Sequence, residues 1–170
     1  MLKWIGMLLL VLGGVMTGTA AAARLKRRTQ VLSAMLAALE LLRGEICVLL
    51  TPLPDAMTQL AAMEQSAVQP LFQSVETLLP ALGEQSFSEL WEQGVLESGL
   101  AFSAEDRQCL LQLGENLGRF DAETQSIAIA RCMDELEHSF SAAKIKAAGD
   151  GRLYRGLGLA AGLMLAIILC

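Results

Sequence analysis

The side chains able to do chemistry in this chain are four cysteines, one histidine and 18 carboxylates, and their spacing decides which chemistry is open to them. Cys47, Cys109, Cys132 and Cys170 form no Cys-x-x-Cys pair, and the first three fall in stretches that read as half-apolar helix. Thiols placed like that read as core residues in a reducing compartment. Cys170 matches no prenylation box and reads as the end of an apolar run. His138 has only Asp134 and Glu135 at helical spacing, and that trio on an acidic helix face makes a poor metal centre. There is no P-loop, no Gly-x-Ser-x-Gly elbow and no histidine-bearing triad. The carboxylates are plentiful but spread along solvated helix faces. These residues point away from an enzyme, a cofactor and a resident metal. A small membrane enzyme working through its carboxylates is the alternative left open.

The elements that would position these residues begin and end with apolar runs. From Trp4 to Ala23 all 20 residues are apolar, Gly or Thr. As a helix such a run covers about 30 Å, the depth of a bilayer's hydrocarbon core. Leu153 to Cys170 is a second run, of 18 residues, whose polar-tipped members Tyr154 and Arg155 suit a membrane edge. Lys and Arg beside a span resist translocation, and they cluster on one side of each run: Arg24, Lys26, Arg27 and Arg28 after the first, Lys144, Lys146, Arg152 and Arg155 before or within the second. The sequence therefore predicts a transmembrane helix over 1–23, a cytoplasmic helical domain over 24–152 and a transmembrane helix over 153–170. Both termini would lie on the far face of a cell membrane. A cleaved signal peptide is the alternative for the first run, but the run is long for one and the arginines after Ala23 would hinder export. Each run also carries a Gly-x-x-x-Gly, Gly14 to Gly18 and Gly158 to Gly162, a spacing that permits close helix approach within the chain or between chains.

All of the acidic residues fall between Glu40 and Asp150, so an acidic middle is bordered by basic ends. An acidic surface repels phosphate backbones, which argues against nucleic acid as a partner; anionic lipid headgroups account for the basic borders. The acidic surface itself reads either as simple solubility or as a docking face for a basic partner.

Periodicity between the runs is helical throughout. Leu25, Leu32, Leu39 and Ile46, with Met35, Leu42 and Leu49, form a coiled-coil-like heptad seam that continues the first run as a stalk to about Leu50. Gly44 interrupts that stalk and is a candidate kink. Thr51, Pro52 and Pro54 end it, and short helices follow over 54–64 and 68–79. Ser86 with Glu89 and Ser103 with Asp106 are capping-box spacings opening two more. The first carries Trp91, a core anchor by its surroundings. The second buries Cys109, Leu110, Leu113 and Leu117, and stops at Gly118. Asp121 then caps a last helix marked by Ile129, Met133, Leu136, Phe140 and Ala143. Gln125, four residues beyond Asp121, is placed to bond back to this corner. The fold class is all-α, a bundle of about six helices.

These stretches, in this order, resemble the stage III sporulation protein AB family of endospore-forming bacteria. The residues that carry the resemblance are Arg24 to Arg28, then Glu45 and Ile46 leading into Thr51, Pro52, Leu53 and Pro54, then Leu113 to Gln125 with Gly114, Gly118, Asp121 and Gln125, and finally Tyr154, Arg155, Leu157 and Gly158. The resemblance implies a domain similar in fold to the cytoplasmic domains of the inner-membrane platform protein of type II secretion and type IV pili. It implies a place in the channel-like, secretion-like complex joining mother cell and forespore, in the mother-cell membrane around the forespore, with a secretion-type ATPase and further membrane proteins as partners. Platform proteins carry two such domains and more spans, so it also implies self-association, a homo-oligomer. A membrane-anchored scaffold without an ATPase partner is the other reading. Within the motif, Gly118 and Asp121 read first as setting the angle between two helices, and second as a partner contact.

Overall fold

The described residues form six α-helices, α1 (Leu2–Cys47), α2 (Leu53–Ala61), α3 (Gln69–Leu78), α4 (Phe87–Glu97), α5 (Ala104–Asn116) and α6 (Ala122–Ile168), with one 3-10 turn over Leu79–Ala81. The structure is a computed structural model; it describes the backbone of residues 2–168 and the side chains of residue 20 and residues 23–149. Among the described residues there is no strand, only an isolated bridge between Leu82 and Gln85. The chain divides into two compact units, Gln30–Phe140 and the paired end segments Met1–Thr29 and Ser141–Cys170. Among the described residues no helix is long and apolar enough to cross a membrane. The side chains of the two apolar runs, including those of Arg152, Tyr154 and Arg155, and the packing at Gly14, Gly18, Gly158 and Gly162 lie outside what the structure describes; over these runs it gives the helical backbone alone.

In the unit Gln30–Phe140 the heptad seam becomes core, because Leu32, Met35, Leu39, Leu42 and Ile46 repeat at spacings that keep them on one face of α1. Leu49 departs from it and is 66% exposed. The helix stops at Cys47, three residues before the sequence suggests, because the Gly44 carbonyl accepts from both Val48 (3.0 Å) and Leu49 (3.1 Å) and the chain then turns through Leu50 at φ 53°. Gly44 therefore sits in the last turn of an unbroken helix, and a Cβ there would have nothing within 4 Å. Gly44→Ala is expected to raise stability by about 0.5–1 kcal/mol through backbone entropy alone. An unchanged or lowered urea midpoint would show that the glycine is needed for a close approach.

Helices α2 to α5 pack in chain order, α2 on α3, α3 on α4 and α4 on α5. Their boundaries follow local chemistry. Pro54 and Pro70 occupy first-turn positions where a missing N–H costs nothing. Both capping boxes form: the Ser86 N–H donates to Glu89 Oε2 (2.8 Å) while Ser86 Oγ accepts the Glu89 N–H (3.4 Å), and Ser103 and Asp106 exchange bonds of 2.8 and 3.2 Å. The bonds from the Ser86 backbone and side chain hold the Glu89 carboxyl below its ordinary range.

Trp91 fills the centre, fully buried, its ring 6.1 Å from those of Phe72 and Phe87 and its Nε1–H donating to the Leu110 carbonyl at 2.7 Å. Two glycines make that packing possible. A Cβ on Gly94 would stand 2.5 Å from Val75 Cγ2, and one on Gly114 would overlap the Trp91 indole. On α6 the inner face is Gln125, Ile129, Cys132, Leu136 and Ala143; Met133 and Phe140 are only half-buried, because the stripe runs through Cys132 instead.

Candidate partner-docking cleft

Two segments far apart in sequence converge on one cleft. The first is Thr51-Pro52-Leu53-Pro54, which carries the chain from α1 into α2. Glu45, 8% exposed on the last turn of α1, takes the Thr51 hydroxyl on Oε2 at 2.7 Å and the Gln59 amide at 3.4 Å, while its carbonyl accepts the Thr51 N–H at 2.9 Å. A buried carboxylate supplied with two donors is a stable anchor for a turn. Pro52 then fixes the entry to α2 and its carbonyl accepts the Ala56 N–H at 3.0 Å.

The second segment is the corner between α5 and α6. The former ends at Asn116, Leu117 is extended and buried, and Gly118 turns at φ 73°, where a side chain is strained. Gln125 braces the turn from both ends of its amide: Oε1 accepts the Gly118 N–H at 3.2 Å and Nε2 donates to the Phe120 carbonyl at 2.6 Å. Asp121 caps α6 by accepting the Thr124 hydroxyl (2.7 Å) and N–H (3.4 Å), bonds that hold its carboxyl below the usual range. The segments meet at Gly118, where a Cβ would stand 2.9 Å from Leu53 Cδ2.

Between them lies a cleft of about 430 Å3 walled by Thr51 to Pro54, Leu50, Leu82, Phe87, Gly118 and Gln125. None of its lining residues is ionisable, so its walls offer a largely apolar surface suited to a side chain or a short segment. Leu50, 72% exposed, and exposed Leu82 give it an apolar edge; in the adjoining corner Phe120 is exposed beneath the Arg119 guanidinium, 5.7 Å from the ring centroid. Among the described residues no three His, Cys, Asp or Glu side chains are grouped to hold a metal ion. His138 is exposed, and Glu135 pairs with Arg131 at 3.3 Å.

The sequence singled out Thr51 to Pro54, Gly118, Asp121 and Gln125, and the structure brings them together. Gly114 lies elsewhere, against Trp91, and serves packing. Arg24, Lys26, Arg27, Lys144 and Lys146 are exposed and Arg28 is half-buried, all in the unit of paired end segments. Glu45's role as anchor, and Leu82 and Phe87 as walls, were not legible: the first needed a buried acid to be told from a surface one, the others a tertiary neighbour.

The family model described as stage III sporulation protein AB matches residues 3–170. The chain belongs to the stage III sporulation protein AB family. It is 30% identical over 171 residues to stage III sporulation protein AB of Bacillus subtilis (strain 168), covering 99% of either chain. A solved structure of a stage III sporulation protein AB superimposes with a TM-score of 0.63 at 28% identity, over 71% of this chain and 95% of that one. The all-helical architecture of the described residues is thus that of the stage III sporulation protein AB fold, and the two segments that meet at the cleft, Thr51 to Pro54 and the corner from Gly118 to Gln125, are among those that carried the resemblance.

Proposed function

We propose that this protein is a non-enzymatic component of the channel-like complex between mother cell and forespore, held in the mother-cell membrane by two spans, with its helical domain in the cytoplasm as a docking platform. The observation that carries the docking reading is the cleft: two separate family segments meet around an apolar hollow with exposed leucines on its rim and no ionisable group inside. Such a surface favours protein over small-molecule chemistry. The secretion-type ATPase implied by the family is the partner proposed for it. The spans rest on the apolar runs and on the basic residues bordering them. Self-association through the same membrane complex follows if a single domain is to complete a platform.

Photo-crosslinkers placed at Leu50 and Leu82 in the full chain, expressed in sporulating cells, are expected to capture the secretion-type ATPase, whereas one at exposed Glu92 on α4 captures none. Recovery of other envelope proteins from all three positions, with no ATPase, would remove the docking claim and leave a scaffold. Reporters fused near Gln65 and after Cys170 are expected to lie on opposite sides of the membrane; a shared side would overturn the two-span topology.

A further inference from the structure

Cys109 on α5 and Cys132 on α6, 23 residues apart, are both buried and place their sulfurs 2.6 Å from each other, closer than two unbonded sulfurs ordinarily sit. Nothing in the docking reading uses them. Cys47 is separate, its thiol donating to the Ala122 carbonyl at 3.4 Å. We propose that Cys109 and Cys132 are a redox pair, a dithiol that a small disulfide oxidant converts into an intramolecular disulfide joining α5 to α6.

Three features carry this. The sulfurs already face each other, so bond formation asks for a shift of side chains rather than of helices. A cavity of about 210 Å3 beside the pair, lined by both cysteines with Gln112, Asn116, Arg131 and Glu135, opens to solvent and admits a small oxidant. Finally, the hydrogen bond shared with Cys109, and then burial, push the Cys132 thiol far above its ordinary range, so Cys132 stays protonated and serves as the resolving sulfur rather than the first attacker.

The exchange balances without a further reactant. The Cys109 sulfur attacks one sulfur of the external disulfide, forming a mixed disulfide; the departing thiolate takes the Cys109 proton and leaves as a thiol. The Cys132 sulfur then attacks the Cys109 sulfur, the second half of the oxidant leaves with the Cys132 proton, and two electrons have passed from the pair to the oxidant. The closed ring contains Gly114, Gly118, Asp121 and Gln125, so oxidation ties the two ends of the α5–α6 corner together.

The test uses the full chain in detergent with oxidised glutathione as the oxidant, followed by maleimide capping and tryptic mapping. The expected product joins the peptides Gln108–Arg119 and Cys132–Lys144 in a species lighter than their sum by two hydrogen atoms, while Cys47 carries maleimide. Its unfolding midpoint rises by roughly 5–10 °C and falls back with dithiothreitol. Cys109→Ala and Cys132→Ala abolish both effects. Maleimide on both cysteines after oxidation, a glutathione adduct that never resolves, or a link between two chains would each overturn the proposal. Peptide mapping of the unsubstituted protein decides the matter even where an alanine variant fails to fold.

Discussion

Trp91→Ala is expected to cost about 3–5 kcal/mol, the largest loss of any single truncation in the domain. The indole is fully buried between Phe72 and Phe87, so its removal forfeits both ring contacts and leaves a hole that three short helices cannot close without moving. The hydrogen bond to Leu110 is the smaller part of the effect. That carbonyl also serves the ladder of α5, so losing the indole N–H leaves it with its helical partner. Trp91→Phe should therefore be much milder, near 1–2 kcal/mol, since it keeps most of the ring and gives up only the bond and some volume. Urea unfolding followed by helical signal measures both. Equal losses for the two variants would mean that the bond, and not the packing, anchors the centre.

Gly114→Ala sets two effects of opposite sign against each other. Alanine favours a helix over glycine by about 1 kcal/mol, and at an open position it would stabilise. Here the new methyl overlaps Cδ1, Cγ and Nε1 of Trp91, and the ring has Phe72 and Phe87 against it and cannot retreat. Overpacking of this kind costs about 1–3 kcal/mol, so the clash wins and a net loss near 1–2 kcal/mol is expected. The two positions should couple: in a Trp91→Phe background the smaller ring makes room, and Gly114→Ala should become nearly neutral. Additive losses in that double-mutant cycle would show that Gly114 matters for something other than the indole.

Much of this architecture is legible in the sequence because it depends on local chemistry. The serine caps at Ser86 and Ser103, the proline starts of α2 and α3 and the stop at Gly118 each need only a few neighbouring residues. Where a boundary departs from the sequence pattern, a non-local or competing bond is responsible: Gly44 gathers two amides and Glu45 pulls Thr51 inward, ending α1 at Cys47 and leaving Leu49 in solvent. The pairing of Cys109 with Cys132 was hidden for a related reason. Each thiol reads correctly as buried, yet the spacing within each helix says nothing about the rotation of α5 against α6. The cleft was half legible: its two segments stood out, but only the contact between Leu53 and Gly118 shows that they share a surface.

The bonds made by Gln125 bear on what its family segment encodes. The amide spends its single acceptor on an N–H and a donor on a carbonyl, both within the same turn. Glutamate would point a lone pair at the Phe120 carbonyl, leucine would leave both groups unanswered, and a flipped amide would face like with like. Bond polarity in one side chain thus admits a single exit direction from α5. The same side chain also walls the cleft, so the heading of α6 and the shape of the hollow are set by one amide.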